Sequence, residues 1–500
     1  MFKKMTVLLI ISILSALFFL SFAGCSKGET DIKETAADIN APAEDDTQEE
    51  QNATSIYDDE LGEFDFGGKE FRITTWPPEN TPWMTVIFDM EEETGDLVND
   101  AIYSRNRKIE QRFNVKIRQI HRAGSFGDLQ ISATKSIKAG DDDSEVYIIV
   151  DRMALIMAQG GYCYSMSDVP YVDLDRPYWN KTLNDSISVR NKLYFAYGDY
   201  NLSTYDFTKV LLFSKQMVND LNLENPYNLV NSGNWTFDAY DKIVKAASRD
   251  VDGTGPTSRD NYYGLLSAPQ NPLPSFWISA GVQSISKNSE DIPEFTAIGD
   301  MKFQEIVAKV FEMTYDNSSW FRVKLEDSEG GANMRSIFES NRGLFFDSSF
   351  HSVSELRDMA VDFGIIPYPK YTENQENYYS RVEGGNPGII PTTNSNLEMT
   401  GVLLEALASY SAKEVIPAYY EIALKLKYAR DEESTAMLDL IFANRVYDLG
   451  DTYWCDFLRD GVLREMFNTD NRNLTSKLQS IERTLNKSIQ KTIDAFDKID

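Results

Sequence analysis

The folded part of the chain opens on an alternating stretch. In Lys69 to Thr75, KEFRITT, polar positions alternate with Phe71 and Ile73, the period of two of a half-buried strand, and Trp76-Pro77-Pro78 ends it. After an aromatic loop carrying Trp83, Asp96 is placed to cap a helix whose apolar positions Val98, Ile102, Ile109 and Phe113 recur at helical spacing until Asn114. Val115 to Ile120 then predicts a second strand, Asp128 to Ala139 a polar helix stopped by Gly140, and Glu145 to Val150, EVYIIV, a buried third strand. Strand and helix in alternation imply parallel strands joined by right-handed crossovers, hence an α/β sheet whose ligand-facing loops lie at the strand C-termini. Those loops hold Trp76, His121, Asp151 and Arg152. For any one of them, a turn-forming Trp-Pro or a surface ion pair is as good an account as a ligand contact.

The next pattern is a break between two apolar runs. In Lys192 to Val218 the run with Leu193 and Phe195 stops at Gly198-Asp199-Tyr200, and Val210 to Phe213 reads as a buried strand leading into a helix. Two strands flanking a polar aromatic break predict a crossing between lobes, with Asp199, Tyr200 and Tyr205 near a cleft, although a strand and loop inside one domain fits the stretch equally well. Downstream, Thr236 is placed to cap a helix faced by Phe237, Tyr240, Ile243 and Val244, with Trp235 pinning its start. Pro272 to Gly281 puts Phe276 and Trp277 at the start of a short helix, as core or as one wall of a site. Helices follow over Phe303 to Met313 and Met334 to Phe338. A turn at Asn341 to Gly343 leads into Leu344 to Phe346 and Asp347, and a helix passes through Val353 and Leu356. Asp362 to Tyr368 is a buried strand that gives a second candidate crossing before the Gly/Pro stretch Gly384 to Pro391. Helices over Leu403 to Tyr410, Pro417 to Tyr428, Ser434 to Phe442 and beyond Leu474 make up most of the rest. Tyr453-Trp454 interrupts them, either as packing or as a wall closing over a cleft.

Composition bounds the function. Five hundred residues, 42% of them hydrophobic, exceed one ordinary domain and suggest two lobes. A net charge of −29 with no basic cluster beyond the first residues argues against a nucleic-acid partner. His121 and His351, the only histidines, make a His-rich metal site or His-dependent triad a poor expectation. At the N-terminus, Lys3 and Lys4 precede an apolar run closed by Ser21-Phe22-Ala23-Gly24-Cys25, which resembles a bacterial lipoprotein signal with Cys25 lipidated. From Ser26 to Glu60 the chain carries twelve acids against Lys27 and Lys33, and reads as a disordered tether spanning on the order of 30 to 35 Å. Asp250 to Gly255 has the start of a calcium loop, but Asn261 stands where the bidentate Glu belongs, which favours a solvated Asx/Gly turn. Cys163 and Cys455 could form one disulfide or stay apart.

Taken in order, several motifs resemble the extracellular solute-binding proteins of bacterial ABC importers, family 1 or carbohydrate type. They are Cys25 with the acidic tether, Thr94-Gly95-Asp96, Asn99-Asp100-Ala101, Arg105-Asn106, Leu193-Tyr194-Phe195-Ala196 with Gly198-Asp199, Asn234-Trp235-Thr236, Phe338 to Gly343, Phe363 to Lys370 and Ile390-Pro391-Thr392. The resemblance spans most of residues 69 to 430 and rests on the order of the motifs. It implies a type II periplasmic-binding-protein-like clamshell with a helical C-terminus and discontinuous lobes: 61–198 plus 368–425, and 199–367 plus 426–500. It further implies an oligosaccharide bound between the lobes by aromatic faces, carboxylates and amides, closure by population shift, and docking on membrane permease subunits. Tyr200, and the turn after Gly343 with Phe346, Asp347 and Phe350, match stacking positions of the family, though relatives often carry Trp at the second. Trp76 and Arg152 face the cleft in that fold. The candidate ligand contacts are thus Trp76, Arg152, Asp199, Tyr200, Tyr205, Phe276, Trp277, Phe346, Asp347 and Trp454. No cofactor, metal or catalytic residue is expected, and the protein reads as a monomer lipid-anchored on the extracellular face. A lipid-anchored glycosidase, or a sensor or adhesin ectodomain on the same fold, are the alternatives.

Overall fold

In a computed structural model the described residues are 56–81, 84, 86–323, 329–355, 362–425 and 432–499. The N-terminal stretch read as a lipoprotein signal, with Cys25, most of the acidic segment after it, Trp83 and Leu356 lie outside them. Residues 56–60, which composition assigns to the tether, belong to the body because their acids meet cations on it. Asp59 pairs with Arg112 at 2.7 Å, Asp58 with Lys413 at 3.2 Å, and Glu60 with Arg176.

Twelve strands are described: β1 Lys69–Thr75, β2 Val115–His121, β3 Val146–Ile148, β4 Lys209–Ser214, β5 Tyr263–Leu266, β6 Ile285–Lys287, β7 Pro293–Phe295, β8 Gly343–Ser349, β9 Phe363–Ile366, β10 Ser380–Arg381, β11 Gly388–Ile389 and β12 Arg445–Val446. Two four-stranded sheets organise the molecule, one ordered β11-β3-β1-β2 and the other β5-β8-β4-β9. In the first, β1 runs parallel to β2 and to β3, as the alternation of strand and helix requires, and β11, at Gly388–Ile389, returns antiparallel beside β3 from far along the chain. The second sheet is drawn wholly from residues 209 to 366, so the chain leaves the first sheet, builds the second and comes back. Its centre is mixed, with β8 antiparallel to β4 and parallel to β5.

The helices form where capping and periodicity place them. Leu97–Phe113 starts on Asp96, whose carboxylate accepts from the backbone of Val98 and Asn99, and stops at Asn114 in the left-handed region. Phe126–Ala139 begins two residues before the polar pattern suggests, because Ser125 and Asp128 make a reciprocal capping box. Phe237–Ala247 starts on Thr236 and buries Phe237, Tyr240, Ile243, Val244 and Ala247 as one stripe, and Trp235 locks it by donating to the Pro367 carbonyl at 2.9 Å. Burying each large member of such a stripe is worth about 1.5–3 kcal/mol.

One expected element is absent. Lys192 to Tyr200 forms no strand and only isolated bridges, Val189 with Lys192, Ala196 with Gly388 and Trp179 with Gly198. Its apolar side chains are satisfied by packing, Tyr194 and Phe195 being buried, while its backbone pairs one residue at a time with separated partners. Cys163 and Cys455 are buried free thiols, so the possible disulfide does not form here. Asp250 to Gly255 is an Asx turn in which Asp250 accepts from Gly253 and Gly255, and Asn261 accepts from Val251.

Candidate functional site

The parallel sheet delivers its side chains at the strand C-termini. Trp76, immediately after β1, meets the Phe126 ring edge-on at 6.1 Å. Arg152, in the first turn of the helix Asp151–Gln159 that follows β3, holds its guanidinium 6.0 Å from the same ring and 4.0 Å from Cys455 Sγ. Trp76 is buried, yet its indole Nε1 has no hydrogen-bond partner. His121 closes β2 in an exposed position.

Beside this aromatic corner lies a buried ionic network that motif reading misses. Arg381 grips Asp451 with two bonds, of 2.6 and 2.9 Å, and both side chains are fully buried. Arg459 reaches Asp451 at 3.2 Å, and Lys209 bridges Asp347 at 3.4 Å and Glu383 at 3.5 Å. Burial alone would raise the Glu383 carboxyl, but the fields of Lys209, Arg381 and Arg459 together hold it at about 2. Asp347 also accepts from Ser267 Oγ at 2.7 Å. The segment 381–385 joins this network to the first sheet: Tyr447 OH donates to the Gly384 carbonyl at 2.9 Å, and the Asp151 N–H donates to Gly385 at 3.0 Å. The arrangement suits a polyhydroxylated ligand, offering aromatic edges and a fixed set of charged acceptors and donors. Among the described residues, Cys455, Asp456 and Asp460 could in principle hold a metal ion. Arg152 and Arg459 already engage them, and burial pushes the Cys455 thiol up to about 12, so these groups fit an ion-pair cluster better than a metal site.

The ten expected contacts separate into two sets. Trp76, Arg152 and Asp347 lie at this site. The others lie in packing away from it, while Trp76 and Asp347 are themselves buried. Tyr200 sits in the core beside Trp179 at 5.5 Å, its hydroxyl donating to Ala196 and accepting from Gly388. Tyr205 donates to Asp199 at 2.9 Å and lies under the Arg445 guanidinium at 4.0 Å, so both serve the chain crossing. Phe276 and Trp277 belong to a helix, Pro272–Ser279, buried on every side. Phe276 meets Phe237 and Tyr368 edge-on, and Trp277 donates to Asp448 at 3.3 Å. Phe346 alternates with Asp347 along β8 and therefore faces the opposite side, against Phe338 at 5.5 Å. Trp454 is buried against Tyr453. The missed members, Lys209, Arg381, Glu383, Asp451 and Arg459, carried one legible signal: charges at Arg381 and Glu383 directly before Gly384-Gly385.

Four acids that burial pushes up to about 6, Asp151, Asp199, Asp206 and Asp448, give a pH dependence with a definite sign, and the first and last of them lie beside the site. All four hold their protons more tightly folded than unfolded. The stability they contribute is complete below about pH 4 and is lost as pH rises through about 6. The net charge of −29 acts in the same direction, since protonation relieves self-repulsion. The ligand-free protein should therefore melt several degrees higher at about pH 5 than at about pH 7.5. A flat profile, or one rising toward neutral pH, would contradict this reading of the buried acids.

Neither a family model nor a curated protein matches the sequence. Solved structures do match in fold. The ABC substrate-binding protein Lmo0181 of Listeria monocytogenes, in complex with cycloalternan, is 13% identical with a TM-score of 0.55, over 85% of this chain and 99% of that one. The GacH receptor of Streptomyces glaucescens, solved unliganded and with acarbose, is 13% identical with a TM-score of 0.52, over 86% and 98%. The apo form of RafE from Streptococcus pneumoniae is 14% identical with a TM-score of 0.53, over 87% and 98%. The chain thus has the two-lobed, periplasmic-binding-protein-like clamshell fold expected from its motif order. One of these neighbours, Lmo0181, is named an ABC substrate-binding protein.

Proposed function

We propose that the protein is an extracellular solute-binding protein, lipid-anchored at Cys25, which binds an oligosaccharide between its lobes and delivers it to the permease of an ABC importer. The observation that carries this is the junction at 381–385. There the aromatic corner of the first sheet, Trp76 with Phe126 and Arg152, meets the charged network of the second, Lys209, Asp347 and Glu383. Aromatic surface beside fixed charged groups is the chemistry that recognises a sugar ring and its hydroxyls. The sugar ligands named for the solved neighbours support the same reading. It makes the protein a carrier that turns over no substrate, with no cofactor and with the importer as its membrane partner.

Closure follows as a population shift. A ligand touching both lobes stabilises the closed state, and moving an open-to-closed ratio from 99:1 to 1:99 needs about 5.5 kcal/mol of differential affinity. The test is a thermal-shift and calorimetric screen of neutral, amino and acidic oligosaccharides. A bound sugar at a hundred times its Kd adds about 2.7 kcal/mol of stability. Arg152→Ala, at a half-buried position, should weaken that sugar by about 1.5–3 kcal/mol while leaving the unliganded melting temperature nearly unchanged. Hydrolysis of the bound sugar, or binding by peptides alone, would overturn the proposal.

A further inference from the structure

Two segments that cross between the sheets are paired with each other. Thr208 and Val382 form an antiparallel bridge, and next to it the Glu383 N–H donates to the Phe207 carbonyl at 3.1 Å. This register sets Phe207 opposite Glu383. Opposed residues of an antiparallel pair have Cβ atoms about 5 Å apart, close enough for one sugar ring to meet both side chains.

The fold leaves part of each side chain open. Phe207 is half-buried and packs by one side on the main core, and no other described ring stacks on it. Tyr205, Trp277 and Phe346 differ in this, since each meets other rings. Glu383 lies deep among protein atoms yet keeps 28% of its side chain open to solvent, as a group on the floor of a cleft does. Around it Asp347, Arg381 and Asp451 are fully buried, and Lys209 and Arg459 nearly so. Glu383 is therefore the member of the network that a ligand can touch.

Its charge is answered by Lys209 at 3.5 Å, Arg381 at 3.7 Å and Arg459 at 3.9 Å. Each of these cations holds a closer partner: Asp347 at 3.4 Å, Asp451 at 2.6 Å and Asp460 at 2.9 Å. The Glu383 oxygens are thus compensated in charge but accept no hydrogen bond shorter than 3.5 Å from a described residue. An ionised carboxylate in that condition binds hydroxyls. It has no need of an ammonium group, and it repels a second carboxylate. The open part of the Phe207 ring supplies the apolar face on which a pyranose stacks.

We infer that Phe207 and Glu383 form a ligand subsite that stacks one pyranose and accepts its adjacent hydroxyls, so that the protein prefers a neutral oligosaccharide to an amino or acidic one. The inference rests on the carbohydrate reading above and adds to it two contacts and the charge class of the ligand.

Calorimetry on the purified protein tests it with neutral glucose, glucosamine and galacturonate oligomers. The neutral oligomers should bind at least about tenfold more tightly than either charged set. Phe207→Leu should weaken the neutral oligomers about tenfold, and Phe207→Tyr should restore most of that loss, because it returns a ring and not merely volume. Glu383→Gln should weaken them by about tenfold or more, since a carboxamide offers one neutral acceptor in place of two charged ones. Melting temperatures measured in parallel report any cost to the fold, which the Kd of the folded protein does not share. Should Glu383→Gln fail to fold, the two Phe207 variants carry the test. Charged oligomers binding as tightly as the neutral ones, or a Kd that neither Phe207→Leu nor Glu383→Gln changes, overturns the inference and leaves the carbohydrate reading standing. Failure of every oligomer overturns both.

Discussion

Arg381→Met should cost about 3–5 kcal/mol of folding stability, seen as a fall in the urea midpoint with little change in slope. Arg381 and Asp451 are both fully buried and joined by two short bonds, and Arg381 also donates to Asn271 at 3.1 Å. Removing the guanidinium leaves Asp451 with Arg459 at 3.2 Å as its one remaining cation among the described residues and strips Asn271 of a donor. Most of the loss is the penalty for an under-compensated buried charge and not the worth of the bond itself. The double variant Arg381→Met/Asp451→Leu should therefore recover part of the loss. If the double variant is as unstable as the two single losses added together, the pair is not coupled in this way.

Trp277→Ala should lower stability by a similar amount, about 3–5 kcal/mol, and leave the sugar affinity of the folded fraction unchanged. The indole is fully buried against Phe303 at 5.2 Å and satisfies Asp448, so truncation opens a cavity and removes one of that acid's donors. Calorimetric titration below the melting transition separates the two effects. A tenfold or greater loss of affinity with unchanged melting would return Trp277 to the ligand site and refute its assignment to the core. Arg152→Ala makes the opposite pattern, so the two variants together divide packing from recognition.

Local order was legible because short-range rules govern it. The Asp96 and Thr236 caps, the alternation in Lys69 to Thr75 and the stripe from Phe237 to Ala247 each depend on neighbours within a turn or two. The family resemblance could be drawn for the same reason, since order and spacing of motifs survive in a linear reading. Lys192 to Tyr200 misled because burial drives both strands and irregular packed segments, and only backbone partners distinguish them.

The site was legible in part. Trp76 and Arg152 could be singled out because strand C-termini in a parallel sheet point to one edge. Aromatic residues elsewhere carried no such constraint: Phe276, Trp277, Phe346, Tyr200 and Trp454 have the same composition signal whether they wall a cleft or fill a core. By itself, then, the sequence determined the α/β alternation, the caps, the acidic N-terminal segment and the strand ends that bear Trp76 and Arg152. Only the tertiary structure decided which aromatics are core, that Arg381 pairs with Asp451 seventy residues away, and that Lys209 bridges Asp347 and Glu383. Those facts depend on which charges burial brings within a few ångströms of one another, and that distance is not encoded in spacing along the chain.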